Sequence, residues 1–222
     1  MYHSNIHIMK PLLIVLTVLM SPSMVLTQII NDLDEIAPFH EGLAAVRKGS
    51  SWGFINSKGE KIIDFRNDIV QSPTKLKSDN NLNYPYFNSN RCLIKEVRDG
   101  ISYYGYIDKT GKVVIEAKYL NATPFANKTA FVIKKYHEYL NAVNALGKKI
   151  IKYSYAELLI DSNDNVVQYL RGPENLLFSP EHLRTPPPIL SQLLSEKLVA
   201  VKTNKGTWEI YNLKNKNSRS VK

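Results

Sequence analysis

The sequence is poor in cysteine, with one thiol, Cys92, among 222 residues. A single cysteine cannot form a disulfide within the chain, so a disulfide-stapled secreted fold is excluded. A lone cysteine could in principle serve as a nucleophile. Cys92, however, takes the place that Ala44, Ala130 and Val199 hold in the related segments described below. We therefore predict that Cys92 is a small buried core residue.

Signatures of metal and cofactor chemistry are also missing. The sequence has no glycine-rich phosphate-binding loop, and His137-Glu138 is not followed by the second histidine of a zinc-protease helix. Asp161–Asn165 opens like a calcium-binding loop, but Val166 replaces its glycine and Gly172 stands where the bidentate glutamate belongs. We predict a polar hairpin turn at Asp161–Asn165, and neither a cofactor nor a metal.

Long hydrophobic runs are lacking except near the start of the chain. Residues 11–20 are apolar, Lys10 precedes them, and Ser21-Pro22-Ser23 ends the run, which is typical of a secretory signal peptide. The alternative is an uncleaved anchor, but the run falls short of the roughly 20 residues that a membrane-spanning helix needs. We predict that residues 1–27 are removed, that the mature protein begins near Gln28, and that it is secreted or periplasmic with no membrane span.

What the sequence does contain is a repeated hairpin pattern. Residues 52–59, Trp-Gly-Phe-Ile-Asn-Ser-Lys-Gly, match residues 104–111, Tyr-Gly-Tyr-Ile-Asp-Lys-Thr-Gly, in residue type, and Leu140–Gly147 is a looser third copy. In each copy an Asn or Asp begins a turn, and a glycine three residues later closes it in the left-handed conformation. An apolar pair follows every turn, so three β-hairpins are predicted.

A strand with apolar residues two positions apart precedes each hairpin. The segments that begin at Phe39, Phe87 and Phe125 align with one another, and residues 198–201 belong to a fourth, degraded copy. Period-two apolar residues on one face of four strands indicate a shared core. The residues expected in it are Ala44, Val46, Ile55, Cys92, Ile94, Ile107, Ala130, Val132 and Val143.

Two glycines, Gly53 and Gly105, stand inside strands of this pattern. Glycine within a strand marks a bulge or the close approach of a neighbour. We expect the flanking aromatic side chains to be those neighbours.

These motifs resemble those of the WG-repeat proteins, which are named for a Trp-Gly pair. The resemblance is carried by Phe39, Glu41-Gly42-Leu43-Ala44, Trp52-Gly53-Phe54-Ile55-Asn56, Gly59 and Ile62-Ile63. The second copy has a tyrosine in place of the tryptophan, and the third lacks both residues of the pair. Proteins of this family are mostly bacterial, often exported and largely without a defined activity, so the resemblance implies architecture more than function.

The predicted fold is all-β, with degenerate antiparallel hairpins that form one continuous sheet or a barrel-like array. The repeats are placed at about residues 36–65, 84–119, 123–152 and, in degraded form, 193–213, within a domain of residues 28–211. Ser179-Pro180-Glu181 has the capping signature of a helix, which the prolines at 186–188 end. A second short helix is predicted within residues 189–197, and residues 212–222 form a basic tail.

Charge is the unusual bulk property, with 29 basic against 20 acidic residues and a net charge of +9. Such a surface either keeps a protein soluble or binds an anionic partner. Tyrosines that interleave with this charge are the candidate ligand contacts, and they are Tyr84, Tyr86, Tyr103, Tyr104 and Tyr106. The expected partner is a protein or an anionic cell-envelope ligand, such as a polysaccharide or lipid head groups. Export makes nucleic acid an unlikely partner.

Two functions from different classes remain open. Repetition without a converging set of polar residues favours a non-catalytic binding module. The alternative is a secreted hydrolase with a site in the non-repeating segment 154–197. Its candidate residues are Glu157, Asp161, Glu174, Glu181 and His182. A deep pocket lined by several of these five would favour the enzyme.

Overall fold

The computed structural model of the protein describes residues 30–71, 84–203 and 205–213. Within these ranges the chain forms fourteen β-strands and no helix, so the predicted all-β class is confirmed. The first seven strands are β1 (Glu35–His40), β2 (Leu43–Lys48), β3 (Ser51–Asn56), β4 (Lys61–Arg66), β5 (Cys92–Arg98), β6 (Ile101–Ile107) and β7 (Val113–Tyr119). The other seven are β8 (Asn121–Ala122), β9 (Thr129–Val143), β10 (Lys149–Asp161), β11 (Val166–Asn175), β12 (Ser191–Leu193), β13 (Leu198–Lys202) and β14 (Trp208–Asn212).

The strands form four separate antiparallel sheets, and each sheet corresponds to one copy of the sequence repeat. Copy 1 is the sheet β1-β2-β3-β4, and copy 2 is β5-β6-β7. Copy 3 has the order β11-β10-β9-β8, and copy 4 is β12-β13-β14. The prediction of one continuous sheet or a barrel-like array is therefore wrong, and none of the four described sheets closes on itself. After its last strand, each copy hands the chain to a new sheet instead of extending the old one.

The turn chemistry predicted for the first two hairpins is confirmed. Gly59 has a φ of 79° and donates its N–H to the carbonyl of Asn56 at 2.9 Å. The Asn56 side chain accepts the N–H groups of the residues two and four positions later, both at 3.0 Å. Copy 2 repeats these bonds from Asp108 to Gly111, whose φ is 85°.

The third copy lies in a different part of the chain from the one predicted. In copy 1, Ala44 on β2 pairs with Ile55 on β3. The equivalent pair in copy 3 is Ala130 on β9 with Ile160 on β10. The closing turn of copy 3 is therefore at residues 161–164, and the alignment of residues 140–147 with the repeat is wrong.

The turn of copy 3 keeps the geometry of the other turns without a glycine. Asp164 takes the glycine position at a φ of 66° and donates its N–H to the carbonyl of Asp161 at 3.0 Å. Asp tolerates the left-handed region better than most residues because its short side chain can bond locally. The predicted polar hairpin turn at Asp161–Asn165 is confirmed.

Residues 137–153 form a two-stranded arm that extends beyond copy 3. β9 and β10 pair along it, and a turn from Asn144 to Gly147 joins them. In copies 1 and 2, a two-residue turn joins the equivalent strands. Every residue from 141 to 152 is exposed. The predicted burial of Val143 is wrong, since its side chain is 60% exposed.

Most of the other predicted core residues are buried. The confirmed set is Ala44, Val46, Cys92, Ile94, Ile107, Ala130 and Val132. Ile55 is half-buried.

The four sheets pack on one another in chain order. We call the face that carries Trp52 and Phe54 in copy 1, and its equivalent in the other copies, the forward face; the opposite side of each sheet is the rear face. The forward face of copy 1 packs on Cys92, Ile94 and Ile107, which lie on the rear face of copy 2.

The next two interfaces follow the same rule. Leu93 and Tyr106 of copy 2 pack in one cluster with the rear-face pair Val132 and Leu158 of copy 3. From copy 3, Phe131 and Leu159 then pack on the copy 4 residues Val199 and Val201. The single shared core that the pattern predicts is thus a series of interfaces between neighbouring copies.

Neither predicted helix forms. Ser179 begins a single helical turn, in which Leu183 donates its N–H to the Ser179 carbonyl at 3.0 Å and the Ser179 hydroxyl accepts the N–H of His182 at 3.3 Å. The capping group acts as expected, but the prolines at 186–188 end the turn because they have no N–H to continue it. The second predicted helix is replaced by β12, which pairs with β13.

The predicted signal peptide, residues 1–27, and the predicted basic tail beyond residue 213 lie outside the described residues. Within the three described ranges, the protein has no helix with the length and hydrophobicity needed to cross a bilayer.

Candidate binding surface

The five tyrosines predicted as ligand contacts do not form one surface. Tyr106 is fully buried, with its ring centroid 4.7 Å from that of Phe125, and its hydroxyl donates to the carbonyl of Thr123 at 2.7 Å. Tyr84 is also buried. Both Tyr84 and the half-buried Tyr86 pack against the ring of His40, at 6.1 and 5.2 Å.

Tyr103 and Tyr104 are neighbours on β6 and so point to opposite faces of the sheet. Tyr104 packs against the core between copies 2 and 3. Tyr103 lies beside two cations: its ring centroid is 4.4 Å from the guanidinium carbon of Arg98 and 5.9 Å from Nζ of Lys135. Tyr103 therefore meets positive charge as the interleaving pattern predicts.

Lys135 joins Tyr103 to further aromatic rings at the base of the arm. Its ammonium nitrogen lies 3.7 Å from the ring centroid of Phe178 and 5.6 Å from that of Tyr153. The rings of Tyr153 and Phe178 are themselves 4.6 Å apart. A cation held over ring faces is attracted by their quadrupoles. Burial lowers the pKa of Lys135, and the nearby charge of Arg98 lowers it further.

The row of rings continues along the arm. His137 packs against Tyr153 at 6.4 Å and against Tyr139 at 5.6 Å. His137 and Tyr139 are exposed. We call the surface formed by six residues the aromatic strip: Tyr103, Lys135, His137, Tyr139, Tyr153 and Phe178. The strip extends from the half-buried base of the arm to its solvent-exposed shaft.

Strand alternation explains why these side chains share a face. Lys135, His137 and Tyr139 are two residues apart on β9, and Tyr153 is the β10 partner of His137. Sequence reasoning missed three of the rings, Tyr139, Tyr153 and Phe178. The period-two series at 135, 137 and 139 is the signal that could have found the arm's part of the strip.

A second candidate surface is a groove of about 750 Å³ where the turns of successive copies meet. The polar groups there link the copies. The Glu41 carboxylate accepts the N–H groups of Ser89 and Asn90 at 2.7 and 2.9 Å. The Ser89 hydroxyl in turn accepts the N–H of Lys128 at 3.0 Å. Because these groups already bond across copies, the groove is mainly a joint between copies.

Three of the residues considered for a hydrolase site have structural partners. Glu157 is 1% exposed and accepts the N–H groups of Leu190 and Ser191 at 3.2 and 2.9 Å. Asp161 accepts the N–H groups of its own turn. Glu174 accepts a hydrogen bond from Arg171 at 2.9 Å, and the Tyr155 hydroxyl donates to it at 2.8 Å.

The other two candidates, Glu181 and His182, are exposed in the single helical turn. Nδ1 of His182 lies 2.7 Å from the Ser179 hydroxyl, which also caps that turn. The 750 Å³ groove is lined by Asp161, and a groove of about 530 Å³ beside β11 and β14 is lined by Glu174. Neither groove contains a second residue of the five.

The remaining reactive groups are scattered. Cys92 is buried, and this burial raises the pKa of its thiol to about 12. Across the described ranges, no three His, Cys, Asp or Glu side chains gather into a group that could hold a metal ion.

Comparison with known families supports the repeat architecture. A family profile described as "WG containing repeat" matches residues 30–51, 52–66 and 104–136. The first two segments span copy 1, and the third runs from β6 into β9 and ends where the arm begins. Together they cover well under half of the chain. Neither the curated proteins nor the solved structures contain a match to this sequence.

Proposed function

Residues 30–66 and 104–136 of this chain are WG-containing repeats, and from that premise we propose that the protein is an exported, non-catalytic binding module. The stacked copies form the scaffold, and the arm presents the binding surface. The ligand class that fits this surface is an anionic polysaccharide of the cell envelope.

The aromatic strip and the charge around it carry this proposal. The apolar C–H face of a sugar ring packs against an aromatic ring, while sugar carboxylates pair with ammonium groups. Tyr139 is 59% exposed and available for such a contact. The arm and its base have one acid, Glu138, against five lysines. These are Lys134, Lys135, Lys148, Lys149 and Lys152.

The position of the strip also suits a binding role. Its residues lie mainly on paired strands rather than on loops, so their spacing is set before a ligand arrives. The hydrolase candidates support the non-catalytic part of the proposal, because Glu157, Asp161 and Glu174 each serve a structural contact.

Isothermal titration calorimetry with a soluble polyuronate, and with a neutral glucan of equal length, tests the proposal. We expect the polyuronate to bind, and added salt to weaken it. The double variant Tyr139→Ala/Tyr153→Ala should bind about tenfold more weakly, since each aromatic contact contributes about 0.5–1.5 kcal/mol. Tyr211→Ala is the matched control because Tyr211 is 46% exposed on β14, away from the arm.

Two results would count against the proposal. Equal affinity for the neutral glucan would remove the role of charge. Unchanged polyuronate affinity in the double variant would place the binding site elsewhere.

Export requires its own test. N-terminal sequencing of the protein recovered from its native host should begin near Gln28. A full-length chain in the cytoplasmic fraction would contradict export.

A further inference from the structure

Copy 4 has a forward face that no described sheet covers. In copies 1, 2 and 3, the rear face of the next copy packs on the forward face. Strand pairing identifies the residues on the forward face of copy 4. They are Gln192, Leu198, Ala200, Lys202, Trp208, Ile210 and Asn212.

This face repeats the composition of a face that is covered. Trp208 pairs with Lys202 on the neighbouring strand, as Trp52 pairs with Arg47 in copy 1. In both copies the cation lies 6.0 Å from the centroid of the indole ring. The two tryptophans of the chain thus occupy equivalent positions in the first and last copies.

Exposure is what separates the two faces. Trp52 is 3% exposed and Phe54 is fully buried, whereas their equivalents Trp208 and Ile210 are 50% and 64% exposed. Leu198 beside them is 37% exposed. A cluster of large apolar side chains in water marks an interaction surface, and tryptophan is enriched at the centres of such surfaces.

The other end of the stack limits what the partner can be. A second molecule could continue the stack head to tail only through the rear face of its copy 1. That face is already covered, since Ala44 and Val46 are 1% and 0% exposed. The open apolar face that a second molecule can offer is therefore the forward face of its own copy 4.

We propose that the forward face of copy 4 is a homodimer interface, which packs against the same face of a second copy of this chain across a two-fold axis. Such an interface is self-complementary and closes at two subunits. Trp208 and Ile210 of each chain form its apolar centre. Glu209 and Tyr211 alternate with them on β14 and point to the rear face, so no β14 carboxylate lies in the contact.

Sedimentation velocity on the purified protein tests this interface. We expect a concentration-dependent dimer of twice the 25.3 kDa chain, less any leader that has been removed. Ile210→Asp should shift the protein to monomer without unfolding it, because the side chain is mostly exposed in one chain. Tyr211→Asp is the matched control, since it places the same charge on the opposite face of the same strand, and it should remain dimeric.

Indole fluorescence gives a second measurement. Trp208 should lose water contact on dimerisation, so the emission maximum of the wild-type protein should move to shorter wavelength as concentration rises. That of Ile210→Asp should not move. A wild-type monomer at the highest soluble concentration, an open series of larger oligomers, or equal dissociation by Tyr211→Asp would each overturn the proposal. Ile210→Asp leaves the aromatic strip intact, so its polyuronate affinity per chain tests the binding proposal separately.

Discussion

At the scale of single residues, Gly105 touches the backbone of the neighbouring strand. A Cβ atom on Gly105 would lie 2.4 Å from the carbonyl oxygen of Ile115 and 2.7 Å from the amide nitrogen of Ala117. At Gly53 the equivalent carbonyl, that of Ile63, would be 2.9 Å away. The glycine after each Trp or Tyr therefore admits main chain, where the next strand shifts its register. We had expected aromatic side chains as the neighbours.

Gly105→Ala should therefore destabilise the protein by about 1–3 kcal/mol, as overpacking does where the neighbour is backbone. Gly53→Ala should cost less, because its contact is half an ångström longer. Urea denaturation measures both free energies of unfolding. If Gly105→Ala unfolds at the wild-type urea concentration, β7 does not cross Gly105 as closely as the structure shows.

The buried thiol of Cys92 gives a prediction about pH. In the unfolded chain the thiol ionises near its ordinary pKa of 9.0, but in the folded protein the pKa is about 12. The unfolded state is therefore favoured as pH rises above 9, and folding stability should fall between pH 9 and 11. Cys92→Ala, which places in copy 2 the residue found at the same position in copies 1 and 3, should show a smaller fall. Thermal melts at several pH values measure it, and parallel losses in the two proteins would contradict the burial of this thiol.

At the scale of elements, the arm can be exchanged for a short turn. In copy 2, Asp99 and Gly100 join the equivalent strands, with φ values of 52° and 75°. Replacing residues 137–153 by Asp-Gly should change the free energy of unfolding by no more than about 1 kcal/mol, because residues 141–152 are all exposed. Chemical denaturation measures this, and the same variant should lose polyuronate binding. A large loss of stability would mean that the arm packs on the stack.

The hairpins could be predicted from the sequence because their turns are local. Asn56 and Gly59 specify a turn whatever lies around them, and so do Asp108 and Gly111. The third copy was missed because Asp164 replaces the glycine there, while the arm contains a better local match at residues 144–147. Pairing with β9 decides between the two, and it cannot be read from either turn. The helices failed for a similar reason, since the local signal of β12 is weaker than its pairing with β13.

The aromatic strip was predictable only in part. Tyr103 was identified from its place among charged residues. Its cationic neighbour Lys135 and the ring of Phe178 lie far from it in sequence and meet it through the packing of copies 2 and 3. The opposite placement of Tyr103 and Tyr104 follows from strand alternation, but which of the two faces the core depends on the next copy.

At the scale of the whole molecule, hydrogen bonds hold the copies in line at one end of the stack. Besides the bonds to Glu41, the Arg91 guanidinium donates to the carbonyl of Ser162 at 2.8 and 3.1 Å. The Tyr119 hydroxyl donates to Asp164 at 2.5 Å. Each bond joins a turn or strand of one copy to the next, so the turns on this end are fixed by their neighbours.

Glu41→Gln should weaken the joint between copies 1 and 2 by about 1 kcal/mol, the lower range for bonds to a charged group, since the side chain is a third exposed. Burial alone would raise the pKa of Glu41, but the N–H groups of Asn90 and Ser89 and the Lys109 ammonium outweigh it and lower the pKa. The stabilisation is therefore present above the ordinary pKa of 4.5 and is lost as pH falls through the lowered value.

Thermal melts between pH 6 and 3 follow this loss. The wild-type protein should lose more stability over that range than Glu41→Gln, which has no carboxylate to protonate there. Identical pH profiles would show that the carboxylate contributes nothing to the joint.

The arm shows where a chain of this kind can acquire new parts. Residues 137–153 stand in copy 3 where copy 2 has two residues, and the strands below them keep the same pairing. The entropy of closing a longer loop grows only with the logarithm of its length, and no neighbouring turn is bonded to that site. An evolving gene could lengthen the arm or graft a foreign hairpin there without disturbing the copies beneath it. At the opposite end, an insertion would break the bonds that keep the copies aligned.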